Sequence, residues 1–307
     1  GGALVMSTLA VIIVSWNVCA LLDRCLQTLR EDLARTAVRA EVWVVDNAST
    51  DGSAALVRER HPWVQLETLG ENLGFVQGNN LVLKRLLATS MPDFVWLLNP
   101  DTEICAGATQ ALLEAFGALP RSGLLGPRLC NPDGSLQHSA FRFPGVLQPL
   151  FDLGMLPSRF YESRFNGRYA ASDYAKGTPF QIDHPLGAAM LARGTAITQV
   201  GPLDEAFFMY CEEIDWAWRM KKSGWEAWLV PQAEVLHHGG ASTGQARPQT
   251  TAFLWESRAR LYRKHRGRLQ RAIVGAAVRR HFKRALATTD DPAWHAAYQD
   301  ILRAWSS

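Results

Sequence analysis

The sequence predicts an α/β protein, a mostly parallel sheet with helices on both of its faces. Residues 9–14, 41–45 and 94–98 are short runs dominated by Val, Ile, Leu, Trp and Phe. That is the pattern of strands buried on both faces. Between them lie segments with apolar residues at helical spacing, such as Leu22, Leu26, Leu29 and Leu33. Strand and helix patterns then alternate through roughly the first 120 residues, as in a parallel sheet. Right-handed crossovers gather the carboxyl ends of such strands on one edge, where open α/β sheets bind ligands.

Each element has its own signal. The first strand, 9–14, precedes a helix over 19–33. The second, 41–45, ends at Asp46 and Asn47, and the stretch from Ser49 to Ser53 opens a helix through Arg60. A short strand follows at 64–68, then a loop and helix over 74–88. The strand at 94–98 is stopped by Pro100, which cannot donate to a ladder. A helix is expected over 108–119. From 121 to 185 the chain is rich in Gly, Pro, Phe and Tyr and weakly periodic. It reads as extended segments near 124–129 and long loops over 141–174, the kind that form functional lids. Regularity returns with a strand at 188–192, a helix at 212–223 stopped near Gly224, and a strand at 226–230. A loop with two histidines follows.

The 307 residues suffice for one large or two small domains. Hydrophobic content of 48% and charged content of 20% are those of a globular chain. No apolar run approaches the roughly 18 residues of a spanning helix. The first residues lack a basic stretch ahead of an apolar one, so they do not read as a signal peptide. Five scattered cysteines without a C-x-x-C pair argue for reduced thiols in a cytoplasmic setting and against a zinc site. The net charge of +3 hides an asymmetry. Between Leu254 and Ala287, eleven Lys/Arg face one acid, Glu256, so this stretch carries +10 and the remainder −7. The basic stretch can be a solvated helix surface, or a peripheral contact with an anionic membrane using Ile273, Val274, Ala276, Ala277, Val278, Phe282 and Leu286 as an apolar face. Nucleic-acid binding is disfavoured, because stacking aromatics are sparse there.

Five segments carry candidate chemistry. After the first strand come Ser15, Trp16 and Asn17, and after the second come Asp46, Asn47 and the stretch from Ser49 to Gly52. Asp46 at a strand end can accept a proton from a pyrimidine base, while Ser49, Thr50 and Asp51 suit a helix cap. Gly74 to Asn80 places two glycines and two amides at a helix start, where backbone can approach an anion or a sugar oxygen. A turn needing positive φ explains Gly74 equally well. In the stretch from Asn99 to Glu103, Asp101 and Glu103 offer hard oxygen ligands for Mg²⁺ or Mn²⁺, or simply form an acidic turn. Glu212, Glu213 and Asp215 begin a helix. They complement its dipole, or one of them serves as a base toward a hydroxyl. Asp215 can pair with Arg219 four residues on. His237 and His238 stand beside Gly240 and Ser242, where an imidazole can complete a metal shell or meet a phosphate.

In this order, the five segments resemble family 2 glycosyltransferases with the GT-A fold, in particular the rhamnosyltransferase-like subgroup of bacterial cell-surface polysaccharide synthesis. The resemblance covers about residues 9–265 and implies specific roles. Ser15, Asn17, Asp46, Ser49, Gly74, Asn79, Asn99 and Asp101 would bind a nucleoside diphosphate sugar, dTDP- or UDP-linked. Asp101 matches the last acid of the family's metal-binding D-x-D motif, and Asn99 stands where its first acid is usual. Asp101 and His237 would hold Mg²⁺ or Mn²⁺. Glu213 matches the family base, flanked by Glu212 and Asp215. Gly187, Ala188 and Trp216 fall on the acceptor side. The expected reaction is inverting transfer to a saccharide or lipid-linked acceptor. Residues 1–120 would form the nucleotide-sugar half, 121–250 the acceptor and catalytic half, and 251–307 a basic helical extension. The expected place is the cytoplasm, with peripheral membrane contact through 254–287. A nucleotidyltransferase would want a glycine- and lysine-rich loop after the first strand, and a non-catalytic sugar-nucleotide module would be expected to lose Glu213 or Asp101.

Overall fold

The computed structural model describes residues 6–239 and 247–306. Its first half follows the predicted alternation: β1 (Thr8–Ser15), α1 (Cys19–Leu33), β2 (Arg39–Asp46), α2 (Ser53–Arg60), β3 (Gln65–Thr68), α3 (Gly74–Ala88) and β4 (Phe94–Leu98). After these come β5 (Thr102–Ile104), α4 (Ala108–Ala118) and β6 (Ser122–Cys130). The irregular middle contains β7 (Leu136–Gln137), β8 (Ala140–Phe141), α5 (Leu147–Asp152), α6 (Ala171–Ala175), β9 (Phe180–Ile182) and β10 (His184–Pro185). Then follow β11 (Ala189–Arg193), α7 (Gly194–Val200), α8 (Glu212–Lys222) and β12 (Glu226–His237). Three helices close the chain: α9 (Arg247–His265), α10 (Arg268–Thr288) and α11 (Pro292–Ala304).

Strand side chains alternate between two cores, which explains why these strands are apolar throughout. In β1, Ala10, Ile12 and Val14 enter one core and Leu9, Val11 and Ile13 the other. In β4, Val95 and Leu97 oppose Trp96 and Leu98 in the same way. The helical period of α1 puts Leu22, Leu26 and Leu29 in the second core. Each such fully buried side chain contributes about 1.5–3 kcal/mol before entropic costs.

The main sheet runs β3-β2-β1-β4-β11-β6-β12-β5. Its first four strands are parallel, β11 runs antiparallel to β4 and β6, and β6 and β12 are parallel again. The expected α/β fold is therefore a mixed, mostly parallel sheet. Three details differ from the sequence reading. First, β12 continues past Val230 to His237, across a register break between Val230 and Glu234. Pro231, which lacks an N–H, sits in that break and hides the continuity. His237 is thus the last residue of a strand. Second, β5 was not anticipated; it pairs with the end of β12. Third, Ser49, Thr50 and Asp51 do not cap α2, which follows Gly52 at φ 89°. Asp51 instead accepts the Cys19 N–H at the start of α1 (2.8 Å) and the Ser53 N–H (3.1 Å).

The C-terminal helices α9, α10 and α11 share a third apolar cluster around Trp255, Tyr262, Val274, Val278, Phe282 and Trp305. They are fastened to α8 through Asp215. The Asp215 side chain is fully buried. It accepts from Arg219 Nε (2.9 Å) and His265 Nε2 (2.7 Å), and Lys264 Nζ lies 2.7 Å away. Lys222 Nζ lies 3.3 Å from the other His265 nitrogen, Nδ1, and can only donate to it. Arg219 also donates to the carbonyls of Val200 and Pro202, each at 2.7 Å, fixing the segment after α7. Burial works against the charge on Asp215, but the bonds from His265, Lys264 and Arg219 hold its carboxyl down at about 2. Removing one partner of a buried ion pair typically costs about 3–5 kcal/mol. Asp215→Ala is expected to lose that much in urea denaturation. A carboxyl whose folded pKa is lowered stabilises above its unfolded value. The Asp215 contribution is therefore expected to vanish as pH falls from about 4 toward 2, in wild type but not in the variant.

Candidate active site

A cavity of about 520 Å³ opens at the carboxyl ends of β1, β2 and β4. Val14, Ser15 and Trp16 leave β1 into it, Asn47 follows β2, and Asn99, Pro100 and Asp101 follow β4. Its far wall comes from the segment before β11 (Leu186, Gly187, Ala188), the approach to α8 (Phe208 to Tyr210) and the start of α8 (Glu212, Glu213). His237 enters from the end of β12, and Gln249, Thr250 and Phe253 from the first turns of α9.

Local bonds explain how loops so far apart in sequence hold one shape. Asn47 Nδ2 donates to the Gly74 carbonyl (3.1 Å), and Asn47 Oδ1 accepts the Leu73 N–H, joining β2 to α3. Ser49 Oγ accepts the Asn17 N–H (2.9 Å), and Asn17 Oδ1 accepts the Thr50 N–H (2.8 Å), joining the loops after β1 and β2. Gly74 has φ 81°, and a Cβ there would lie 2.7 Å from the Phe208 ring. Both the conformation and the close approach require glycine. Tyr210 and Cys211 also have positive φ, at 67° and 65°, the turn that aims the start of α8 at the cavity.

The acids of this wall sit in contrasting environments. Glu212 and Glu213 each have an Oε2 with no hydrogen-bond partner among the described residues. Enclosure pushes the Glu213 carboxyl up to about 7. Glu212 is driven well above the usual carboxylate range by burial and by the neighbouring Glu213. Gly187 packs against the Glu213 side chain, 3.6 Å from the position a Cβ would take. On the opposite wall, Asp101 Oδ1 lies 3.4 Å from His237 Nε2. His237 Nδ1 lies 2.7 Å from Gln137 Oε1, and Gln137 Nε2 donates to Asn131 Oδ1. With Gln137 Oε1 as the acceptor, His237 Nδ1 is the donor of that bond, and Nε2 is the ring nitrogen on the Asp101 side.

Of the residues singled out in the sequence, Ser15, Gly74, Asn99, Asp101, Gly187, Ala188, Glu212, Glu213 and His237 line this one cavity. Six others do not. Asn17 and Ser49 bond to each other's loops. Asp46 is buried behind the wall, its Oδ2 accepting the Ser49 N–H and its Oδ1 without a partner among the described residues. Asn79 is buried and donates to the Phe75 carbonyl. Asp215 is consumed by its three basic partners. Trp216 is a core residue whose indole donates to the Gly201 carbonyl (3.0 Å), because the helical period turns it away from the cavity. Glu103, expected beside Asp101 as an oxygen ligand, instead accepts from His238 and Arg24. Burial opposes its charge, but those bonds keep its carboxyl below the usual range. Gly240 and Ser242 lie outside the described residues. The sequence reading missed Gln137 and the α9 residues Gln249, Thr250 and Phe253, none of which belongs to a recognisable motif.

The donor set of Asp101 and His237 suits a hard or borderline divalent cation. Among the described residues no group of three His, Cys, Asp or Glu side chains could hold a metal ion. Two protein ligands are enough for Mg²⁺ or Mn²⁺ when a substrate's phosphates complete the shell.

A mixed, mostly parallel sheet with flanking helices is the GT-A type fold. The chain belongs to glycosyl transferase family 2, whose sequence model matches residues 10–178. It is therefore a glycosyltransferase that takes its sugar from a nucleotide sugar. This sets aside the nucleotidyltransferase and non-catalytic alternatives. One relative is the N-acetylglucosaminyl-diphospho-decaprenol L-rhamnosyltransferase of Mycobacterium tuberculosis. It is 33% identical over 219 residues, spanning 66% of this chain and 68% of the relative. In fold the chain is similar to GalNAc-T7 solved with UDP, GalNAc and Mn²⁺, at TM-score 0.57 and 15% identity, covering 76% of this chain and 43% of that one. It is also similar to the mannosyltransferase PcManGT from Pyrobaculum calidifontis in complex with GDP-Man and Mn²⁺, at TM-score 0.55 and 16% identity, covering 99% and 74%.

Proposed function

We propose that this chain is an inverting transferase moving a rhamnose-like sugar from a dTDP- or UDP-linked donor to a hydroxyl of a lipid-linked saccharide in cell-wall polysaccharide synthesis. The donor and acceptor classes follow the mycobacterial relative, whose name gives an L-rhamnosyl transfer to a lipid-diphosphate-linked N-acetylglucosamine. The observation that carries the catalytic reading is Glu213: an enclosed carboxyl raised to about 7, with an unpartnered oxygen, on the wall of the cavity that Asp101 and His237 also line.

The chemistry is a single displacement. Glu213 takes the proton of the acceptor hydroxyl as its oxygen bonds to the sugar's anomeric carbon, and the bond to the nucleoside diphosphate breaks on the opposite side. A general base placed in this way contributes roughly 10²–10⁴-fold. Gly187 and Ala188 leave room for the acceptor beside that carboxylate. Ser15, Gly74 and Asn99 lie on the donor side, and Asp46, behind them, holds the loop after β2 in place through the Ser49 N–H. Asp101 and His237 would hold Mg²⁺ or Mn²⁺. When bound, the cation supplies Lewis-acid neutralisation of the departing diphosphate. Gln137 fixes the His237 tautomer that leaves Nε2 available as a ligand.

Glu213→Gln is expected to cut kcat by about 10²–10⁴-fold while calorimetry finds donor affinity within about twofold of wild type. Lost donor affinity with unchanged kcat would remove Glu213 from this role. The base must be ionised to act, so kcat in wild type should fall tenfold per pH unit below about 7 and level off above it. Chelation by EDTA should abolish transfer, and Gln137→Leu should weaken Mn²⁺ binding in the presence of donor by about 10–100-fold. Full turnover in chelator would contradict the metal assignment.

A further inference from the structure

We propose that the exposed face of α10 docks on an anionic phospholipid bilayer, with arginines at its start taking headgroup phosphates and Leu269 and Ile273 entering the interface. The helix divides cleanly. Val274, Gly275, Val278 and Phe282 are buried, and of the apolar residues singled out in sequence Ile273 and Ala276 are exposed. Leu269 is 74% exposed and Ile273 44%, and Ala272 and Ala276 are exposed beside them. Spacings of three and four residues put these four on one face, continued by exposed Arg280, Lys283 and Arg284. An apolar stripe prolonged by basic residues is the form of a helix that lies in a membrane interface. No described helix is long and apolar enough to cross a membrane, so contact through α10 is peripheral.

Charge singles out the partner. α10 has six Lys/Arg and no acid. Among the described residues, Arg268, Arg271, Arg280, Lys283 and Arg284 make no ion pair. Three acids of the neighbouring segments are committed elsewhere: Asp300 to Arg303, Asp152 to Arg258, and Asp291 to the cap of α11. Beside Leu269, a cavity of about 200 Å³ is lined by Arg263, Arg268, Arg271 and Arg279 with Tyr262 and Trp305. Arg263 and Arg279 donate to the carbonyls of Ala304 and Trp305, each at 2.7 Å, which fixes that wall. The guanidinium fork suits phosphate oxygens. A second copy of the chain would set the same positive face against itself in a twofold contact. A nucleic acid would find no aromatic to stack on among the exposed residues of this face.

On the opposite, buried side of α10, Phe282 packs on Trp255 at 5.4 Å between rings, two residues beyond Phe253 of the active-site cavity. The docking itself does not depend on which acceptor is used.

The test is co-sedimentation of the full chain with vesicles of phosphatidylcholine alone and of phosphatidylcholine with phosphatidylglycerol. Binding is expected only with phosphatidylglycerol and should weaken in salt. Arg268→Gln with Arg271→Gln should reduce partitioning roughly 25-fold, about fivefold per arginine. Leu269→Ser with Ile273→Ser should also weaken it. Because these side chains are exposed or line only the small arginine cavity, both variants should keep the wild-type melting temperature and nucleotide-sugar affinity. Equal binding to neutral vesicles, no binding, or indifference to both variants would overturn the proposal. So would a dimer in sedimentation velocity, or RNA binding, that the same variants abolish. Loss of donor binding with vesicle binding intact would instead count against the transferase reading alone.

Discussion

Asp215 is a carboxylate with no exposed surface, and it stays ionised because Arg219, Lys264 and His265 close around it. The arrangement of the candidate active site depends on this contact. Arg219 extends it to the carbonyls of Val200 and Pro202, and Lys264 and His265 bring in the end of α9. The Trp218 and His265 rings stack at 4.5 Å beside it. With α8 fixed to its neighbours, its first turn cannot shift relative to the sheet without breaking a buried ion pair. Glu212 and Glu213 are therefore presented to the cavity by a rigid element, as a catalytic constellation needs.

Two acids only two residues apart are thereby driven in opposite directions. Asp215 is surrounded by donors and held at about 2, whereas Glu213 is enclosed without them and raised to about 7. Environments that separate the pKa values of neighbouring carboxyls commonly separate their roles. Here one acid serves the architecture and the other is left for proton transfer. The same division appears on the opposite wall. Glu103 is neutralised by Arg24 and His238, while Asp101 faces His237 across 3.4 Å.

The parts of the fold legible in the sequence are those whose signal is local. β1, β2 and β4 are apolar because both their faces are covered, and α1 shows its core stripe directly. The family motifs group fifteen residues, of which Ser15, Gly74, Asn99, Asp101, Glu213 and His237 are among those lining the cavity, whereas Asn17, Asp46, Ser49 and Asn79 instead fasten its loops from behind. What stayed hidden depends on distance or brevity. The i to i+4 partner of Asp215 was readable, but Lys264 and His265 are about fifty residues away. Gln137, which orients His237 from 100 residues upstream, sits in a two-residue strand with no period to detect. Pro231 masked the continuity of β12, and the apolar character of Trp216 could not say which side of α8 it occupies.

Of the two raised carboxyls on this wall, Glu213 is the one that exchanges its proton near neutral pH. Infrared difference spectroscopy on protein with isotopically labelled glutamate measures it directly, comparing wild type with Glu213→Gln across a pH titration. The expected result is a protonated-carboxyl component in wild type that disappears with a midpoint at about 7 and is missing from the variant, where any band left by Glu212 titrates at higher pH. If every glutamate that titrates does so near the ordinary value of about 4.3, or if the component with a midpoint at about 7 survives in Glu213→Gln, the assignment of Glu213 as the base is contradicted.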